Sequence, residues 1–434
     1  MKNLKLLQQL KPFENVVLSG RVKKIIGLTI EADNPLLSIG TRCEIVGSNN
    51  KRILSEIVGF KDDRIILMPY GNIDGINPGS IVKNISKGNV VKVSENLLGR
   101  ILDGLGNPID GKGSLSDFEY SPVYNDAPEA LEREIIKTVL PVGISAIDAL
   151  ITLGRGQRTG IFAGSGIGKS VLLGMIARNT EADVNVIALI GERGREVKEF
   201  IENDLGEEGL KRSVVIVATS DQPALIRKLG AFVAMTVAEY FRKLGKHVLF
   251  MMDSITRFAM AQREIGLAVG EPPTTKGYTP SVFGLLPKLM ERAGTKKGEG
   301  SITGLFSVLV EGDDLNDPIA DAVRSIIDGH IVLNRDLAAR NHYPAIDVMM
   351  STSRLMKEIV TPKENDAAGK FRDLLSAYNE GEDLINIGAY KKGSNKRIDE
   401  AVDKIDKINK FLRQGIDEKV NFTTSFNNLK KVIS

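Results

Sequence analysis

Short apolar runs separated by turn residues occupy the N-terminal part of the chain. Runs rich in Val, Ile and Leu lie at 16–22, 28–32, 43–46, 52–58 and 64–68, with Gly, Asn, Asp and Pro between them. Many short strands with turns at close spacing are typical of a small barrel. The pattern predicts an N-terminal β-barrel, preceded by a short helix that carries Leu4, Leu7 and Leu10 on one side.

From about residue 140 the pattern changes to strands that alternate with helices. Residues 184–190, 214–218 and 248–252 are continuous apolar runs, as expected of parallel strands buried on both faces. Between the last two runs, apolar residues recur at spacings of three and four from Leu225 to Phe241, which predicts a helix. This alternation predicts an α/β domain with a mainly parallel sheet.

The remainder of the chain is more polar. Apolar residues at helical spacing in 371–375, 398–408 and 411–416 predict a helical C-terminal domain. A cluster of Gly, Asp, Asn and Pro within 99–113 indicates turns and a domain boundary. We therefore expect a barrel domain at 1–93, an α/β domain at 94–355 and a helical domain at 356–434.

Composition excludes several classes of protein. The 434 residues carry a net charge of +3 from 58 basic and 55 acidic side chains, so no strong electrostatic footprint for nucleic acid exists. No run approaches the ~20 apolar residues of a membrane span, and the N-terminus lacks the features of a secretory signal, so we expect a cytoplasmic protein. The single Cys43 excludes an internal disulfide, and three distant histidines exclude a zinc site of the usual kind.

A phosphate-binding loop is the clearest chemical motif. Residues 163–170 read Ala-Gly-Ser-Gly-Ile-Gly-Lys-Ser, follow an apolar strand and open a helix predicted at 169–180. In such a loop, backbone N–H groups surround the phosphates, the lysine reaches the β- and γ-phosphates, and the serine hydroxyl binds Mg²⁺. The predicted nucleotide ligands are Gly164, Ser165, Gly166, Ile167, Gly168, Lys169, Ser170 and Val171.

Hydrolysis needs further groups beside this loop. Asp253 ends the apolar run 248–252, at the strand end where ligands bind in α/β sheets, so we expect it to hold Mg²⁺ through water. Glu192 and Arg193 follow another apolar run; a carboxylate there can deprotonate the attacking water. Sequence spacing leaves open whether these last two form only a surface ion pair.

Two residues near the end of the α/β region are candidates for a complete site. Arg354 fits an arginine finger, and equally a helix-start arginine paired with Glu358. Tyr343 precedes Pro344 and can stack on adenine or simply pack in its loop.

Taken together, these segments resemble the rotary ATPase superfamily, and most closely the type III export ATPases. The resemblance implies that Glu192 is the catalytic carboxylate and Arg193 its phosphate-contacting neighbour. It also implies that Arg354 reaches the site of an adjacent subunit and that Tyr343 stacks on adenine. The matching segments are 163–170, 191–195, 253–258, 270–294, 310–314, 341–347 and 351–354.

Differences between this sequence and other rotary ATPases narrow the choice of family branch. The acidic C-terminal segment of F-type catalytic subunits is missing, and 126–160 leaves no room for the insertion of V-type subunits. The barrel region holds only Phe13, Phe60 and Tyr70, too few for the base-stacking platform expected of the helicase Rho. Residues 291–294 and 317–325 look more like the flagellar branch than the virulence branch of the export ATPases.

The resemblance therefore implies a Mg²⁺-dependent ATPase that energises export of flagellar proteins, as a homohexamer at the inner face of the cytoplasmic membrane. Implied partners are a central stalk protein, substrate–chaperone complexes, the membrane export gate and a regulator at the leading helix, which otherwise caps the barrel. The Pro/Gly-rich loop 270–280 either faces the central channel or is a rigid surface turn. The alternatives are a virulence-type secretion ATPase, an ATP synthase catalytic subunit, an RNA-translocating ATPase and a nucleotide-binding platform without turnover.

Overall fold

The computed structural model describes residues 19–33, 37–85, 88–310, 312, 314 and 316–434. The described residues divide into two compact units: one holds those up to Val90 with 223–225 and 264–272, and the other holds the remainder. The predicted leading helix lies outside the described residues. The domain bounds at 93/94 and 355/356 remain a prediction.

A closed β-barrel forms the first unit, as the short strands predicted. Its strands follow the order β1-β2-β5-β4-β3-β6, and every pair of neighbouring strands is antiparallel. Alternate residues of these strands, among them Val22, Cys43 and Leu67, point inward and form an apolar core. Closure leaves no free sheet edge. The strands are β1 (Ser19–Ile26), β2 (Thr29–Asp33), β3 (Arg42–Val46), β4 (Arg52–Lys61), β5 (Arg64–Pro69) and β6 (Ile81–Asn84).

The second unit is built on a mainly parallel sheet, with strand order β17-β16-β10-β15-β13-β11-β12-β8. Two short strands, β7 (Val90–Val93) and β9 (Glu119–Pro122), pair separately, and β14 (Gly294–Thr295) adds an antiparallel edge to β15. The apolar runs predicted as strands at 184–190, 214–218 and 248–252 lie in β11, β12 and β13. All seven residues of β11 are buried. The sheet strands are β8 (Arg100–Asp103), β10 (Arg158–Ala163), β11 (Val184–Ile190), β12 (Ser213–Ala218), β13 (His247–Asp253), β15 (Ser301–Leu309), β16 (Gly329–Leu333) and β17 (Ile346–Ser353).

Helices cover this sheet and form the C-terminal region. The last long helices begin with clear caps; Thr361 and Glu364, for example, form a capping box around the first turn of the helix that starts at Pro362. The helices are α1 (Ser145–Leu150), α2 (Lys169–Asn179), α3 (Gly194–Glu199), α4 (Gly206–Lys211), α5 (Ala224–Lys243), α6 (Ile255–Val269), α7 (Pro280–Met290), α8 (Pro318–Ile326), α9 (Arg335–Ala339), α10 (Met356–Ile359), α11 (Pro362–Asn386), α12 (Lys396–Leu412) and α13 (Phe422–Ile433).

The predicted fold class is confirmed, while one local expectation was incomplete and another was wrong. The turn-rich stretch 99–113 contains strand β8, which pairs in parallel with β12 at the edge of the large sheet. The helix predicted over 411–416 ends at Leu412. Arg413, with φ and ψ of −86° and 140°, is extended. The next helix, α13, starts only at Phe422, where the Asn421 side chain caps it.

Candidate nucleotide site

The phosphate loop lies between β10 and α2. Strand β10 runs in the interior of the sheet, parallel to β15 and β16, and the chain then turns through 164–168 before α2 begins at Lys169. Gly166 and Gly168 have φ angles of 77° and 90°, in the left-handed region that favours glycine. The N-terminus of α2 faces this turn, and its dipole favours an anion there.

Three charged side chains converge at the end of β10. Asp253 ends β13, where it lies in register with Leu189 of β11, and Glu192 follows the end of β11. The Lys169 ammonium donates a hydrogen bond to Asp253 Oδ1 and lies 3.9 Å from Glu192 Oε1. All three side chains are largely buried, with exposed fractions of 10%, 7% and 14% for Lys169, Asp253 and Glu192. The two predicted acids and the lysine thus form one buried cluster.

Two further residues belong to this cluster, and the sequence did not predict them. The buried Ser307 on β15 donates a 2.6 Å hydrogen bond to Asp253 Oδ1. Arg257 lies in the first turn of α6 and packs closely on Gly191. A Cβ added at Gly191 would lie 2.7 Å from the Cβ of Arg257. Arg257 was within a segment that carried the family resemblance. Ser307 had no signal, because a serine in a buried strand is ordinary until its neighbour is known.

Burial raises the pKa of Glu192 to about 7, and the negative charge of Asp253 adds to the rise. The Lys169 and Arg257 charges act in the opposite direction. A carboxyl group with a pKa near neutrality is suited to accept a proton from water, since a general base works best when its pKa lies near the working pH. The structure therefore gives Glu192 the electrostatic environment of a base.

We expect Glu192→Gln to stabilise the nucleotide-free protein at alkaline pH. Between the ordinary pKa of 4.5 and the folded value of about 7, the folded chain keeps a proton that the unfolded chain has released. Wild-type stability therefore falls as pH rises through this window, and the full cost persists above it. A glutamine has no proton to lose and avoids that cost.

Thermal unfolding measured at about pH 8 and about pH 4.5 checks this expectation. The variant should have the higher Tm at the alkaline pH, with the difference vanishing at the acid pH. Glu202→Gln is the matched control, because the Glu202 side chain is 62% exposed. An equal Tm difference at both pH values would contradict the assignment.

Arg193 points away from the buried cluster. Its side chain is 74% exposed, and its guanidinium pairs with Glu196 at 3.0 Å. The ion pair that the sequence left open, between Arg193 and Glu192, is therefore not seen among the described residues; Arg193 pairs with Glu196 instead. A contact of Arg193 with phosphate stays a prediction.

Tyr343 lies beside the phosphate loop. A Cβ on Gly168 would be 3.4 Å from the Tyr343 ring, so the ring covers the last turn before Lys169. The same tyrosine lines an open recess of about 730 Å³, together with Asn341, Asn409, Arg413 and Gln414. Gln414 donates its backbone N–H to the Tyr343 carbonyl at 3.0 Å. The recess thus adjoins the phosphate loop and is large enough for a nucleotide base.

Arg354 occupies the opposite end of the sheet. Its N–H donates to the carbonyl of Asp328, and the Asp328 N–H donates to the carbonyl of Arg158, the first residue of β10. The phosphate loop follows Ala163, at the other end of this six-residue strand. At ~3.3 Å per residue, the two ends are separated by about 16 Å, much more than an arginine side chain spans.

The exposed Arg354 therefore cannot reach a γ-phosphate bound at its own phosphate loop. Within the described residues, no ion pair joins it to Glu358, so the alternative of a helix-start pair is not realised. If Arg354 contacts a nucleotide, the nucleotide belongs to another copy of the chain.

Comparison with known proteins identifies the family. The family model of the ATP synthase alpha/beta nucleotide-binding domain matches residues 143–353, and the model of that family's β-barrel domain matches 22–85. The model of the T3SS EscN ATPase C-terminal domain matches 360–431. The flagellum-specific ATP synthase of Bacillus subtilis is 55% identical over 422 residues, which cover 96% of each chain. The chain belongs to the type III export ATPases of the ATP synthase alpha/beta family.

Other relatives lie on both branches of the export ATPases. The type 3 secretion system ATPase of Xanthomonas euvesicatoria is 49% identical over 400 residues, 92% of this chain and 90% of that one. The structure of the assembled ATPase EscN from enteropathogenic E. coli superposes with a TM-score of 0.91 at 43% identity, over 96% of this chain and all of that one. The family and fold class predicted from the motifs are thus confirmed.

The oxygen donors of this export ATPase suit a magnesium ion. Ser170 presents an exposed hydroxyl in the first turn of α2, and the hydrogen bonds seen at Asp253 among the described residues engage Oδ1. Mg²⁺ prefers a few such oxygens together with water and substrate phosphates. No cluster of three or more His, Cys, Asp or Glu that could hold a metal ion occurs in the described ranges. Among the same residues, no helix is long and apolar enough to span a membrane.

Proposed function

We propose that this chain hydrolyses ATP with Mg²⁺ to energise the export of flagellar proteins through a type III secretion apparatus. The observation that carries the proposal is the convergence of Lys169, Glu192 and Asp253 at the phosphate loop. Its support comes from relatives named flagellum-specific ATP synthase, 55% identical in Bacillus subtilis and 49% identical in Salmonella typhimurium. A virulence-type secretion ATPase is the second candidate, because the Xanthomonas relative is 49% identical as well.

Each site residue has one task in this proposal. Lys169 and the backbone of 164–168 bind the phosphates, while Ser170 and Asp253, the latter through water, hold the ion. When bound, Mg²⁺ supplies positive charge that offsets the negative charge of the transferring phosphate. Glu192 aligns the attacking water and accepts its proton. Tyr343 stacks on adenine in the adjoining recess.

Arg354 supplies the remaining positive charge to the site of a neighbouring subunit. Because each chain offers an arginine at one end of β10 and a phosphate loop at the other, the contact is head-to-tail, and such contacts generate rings when the rotation closes. A homohexamer follows the family resemblance, and a solved relative, EscN, is described as an assembled ATPase.

The partners are proposed from the family and from that relative, which is also solved in complex with its central stalk EscO. A stalk protein would enter the ring channel, and the loop 270–280 is proposed to face it. A regulator at the leading helix, substrate–chaperone complexes and the membrane export gate complete the set. The ring would lie in the cytoplasm, peripheral to the membrane; no nucleic-acid partner is expected.

The deciding experiment measures ATPase rate per subunit against protein concentration. We expect the rate to rise steeply as subunits assemble, without any second subunit type, and to rise further with a stalk protein. A rate independent of concentration would overturn the shared site. Activity that requires a non-catalytic partner subunit would instead favour an ATP synthase subunit, and stimulation by RNA would favour an RNA-translocating ATPase.

A further inference from the structure

We propose that Ser307 is a positioning residue that fixes the Asp253 carboxylate through Oδ1 and so presents Oδ2 to the hydration shell of the magnesium ion. This inference rests on the proposed function, because it assigns a role at the same site.

The position of Ser307 in the sheet is the first support. Strand β15 lies between the phosphate-loop strand β10 and the Asp253 strand β13. Ser307 is in register with Ile161 of β10, and the preceding residue, Phe306, is in register with Met252 of β13. The serine therefore sits between the two strands that carry the phosphate loop and the metal-organising acid.

The burial of Ser307 is the second support. Its side chain is fully buried, and its neighbours Phe306 and Val308 on the strand are apolar and buried as well. A hydroxyl in such surroundings is costly unless it is hydrogen-bonded. The 2.6 Å bond to Asp253 Oδ1 satisfies it, and the ionised acceptor makes this bond stronger than one between neutral groups.

The other hydrogen-bond donor to Asp253 Oδ1 explains why Ser307 is needed to orient the carboxylate. Lys169 also donates to that oxygen. In a phosphate loop, the lysine turns to the β- and γ-phosphates when nucleotide binds, which draws its ammonium away from the carboxylate. Ser307 carries no charge and has no reason to follow the phosphates. Its hydroxyl remains on Oδ1 and preserves the orientation of the carboxylate at the moment when the ion must be held.

The test compares nucleotide affinity with and without the metal. A fluorescent ADP analogue is titrated into the full chain in the presence of Mg²⁺ and then in the presence of EDTA. Loss of a residue that orients a metal ligand typically costs ~10–100-fold in metal affinity or activity. For Ser307→Ala we expect the gain in affinity due to Mg²⁺ to fall by about this factor, with the EDTA affinity unchanged and a higher Mg²⁺ requirement for turnover.

Two variants separate positioning from simple packing. Ser307→Thr keeps the hydroxyl on a β-branched side chain suited to a strand, and we expect it to restore the effect of Mg²⁺. Ser301→Ala is the matched control: it is buried at the start of the same strand and bonds His247 instead, at 3.0 Å. We expect it to leave the effect of Mg²⁺ unchanged.

Equal losses of affinity in Mg²⁺ and in EDTA would overturn the inference, since they would indicate a packing defect. A normal effect of Mg²⁺ in Ser307→Ala would overturn it as well. Neither outcome would touch the proposed function. Conversely, a wild-type chain that binds nucleotide but never hydrolyses it would refute the proposed function, while the binding titration would still decide the role of Ser307.

Discussion

Arg354→Ala is expected to lower ATP turnover by ~10³–10⁵-fold, the range found when an arginine finger is lost. Nucleotide affinity should stay near the wild-type value, because an arginine finger acts mainly on the charge of the transition state, and the phosphate loop that binds the nucleotide is unchanged. Phosphate release at saturating ATP, together with titration of a fluorescent nucleotide, measures the two effects separately. Near-normal turnover in this variant would remove Arg354 from the mechanism.

A mixing experiment decides whether the arginine acts on a neighbour. The Arg354→Ala chain keeps Glu192, and the Glu192→Gln chain keeps Arg354. A contact in which the second chain supplies its arginine to the site of the first therefore forms one complete site. In an equal random mixture about one quarter of the contacts have this arrangement, and activity should reappear from two inactive preparations. An inactive mixture of well-assembled chains would show that Arg354 does not act across the contact.

The second large effect is expected for Glu192→Gln. Removing a general base typically costs ~10²–10⁴-fold in turnover, and nucleotide binding should persist because Lys169 and the loop backbone are unchanged. Single-turnover hydrolysis gives the rate of the chemical step, and equilibrium titration gives the affinity. Glu199→Gln, with a side chain that is 51% exposed, is the control and should behave like the wild type.

The same variant tests whether hydrolysis is needed at all. If Glu192→Gln supported export in cells, the chain would serve as a nucleotide-binding platform rather than as a motor. We expect no export, because the buried and electrostatically tuned carboxyl has no purpose in a platform.

Local patterns predicted much of this site. The glycine-rich loop 164–168 is one continuous stretch of sequence, and so is each of the buried runs that form β11 and β13. Each of the two acids lies at or just after the end of its run. Parallel strands bring their carboxyl ends to one edge of the sheet. For this reason local patterns could place Asp253 beside the phosphate loop and make Glu192 a candidate, whose role was implied only by the family resemblance.

The remaining features depend on the order of strands, which local patterns do not reveal. Ser307 reaches Asp253 only because β15, far along the chain, lies between β10 and β13. Strand β8 was missed because glycine and aspartate turns flank its four residues. The separation between Arg354 and the phosphate loop likewise depends on the placement of β16 beside β10 and of β17 beside β16.

If Arg354 acts on a neighbouring subunit as proposed, the placement of the arginine and the phosphate loop at opposite ends of β10 also makes hydrolysis depend on assembly. In an open row of subunits, one terminal chain has a phosphate loop without an arginine, and the chain at the other terminus has an arginine without a partner. A free subunit would then have no complete site, so it would hold ATP without consuming it. Each added subunit completes one site, and the contact that closes the ring pairs the two groups left over at the ends. In the proposed mechanism, ATP hydrolysis is thereby tied to assembly.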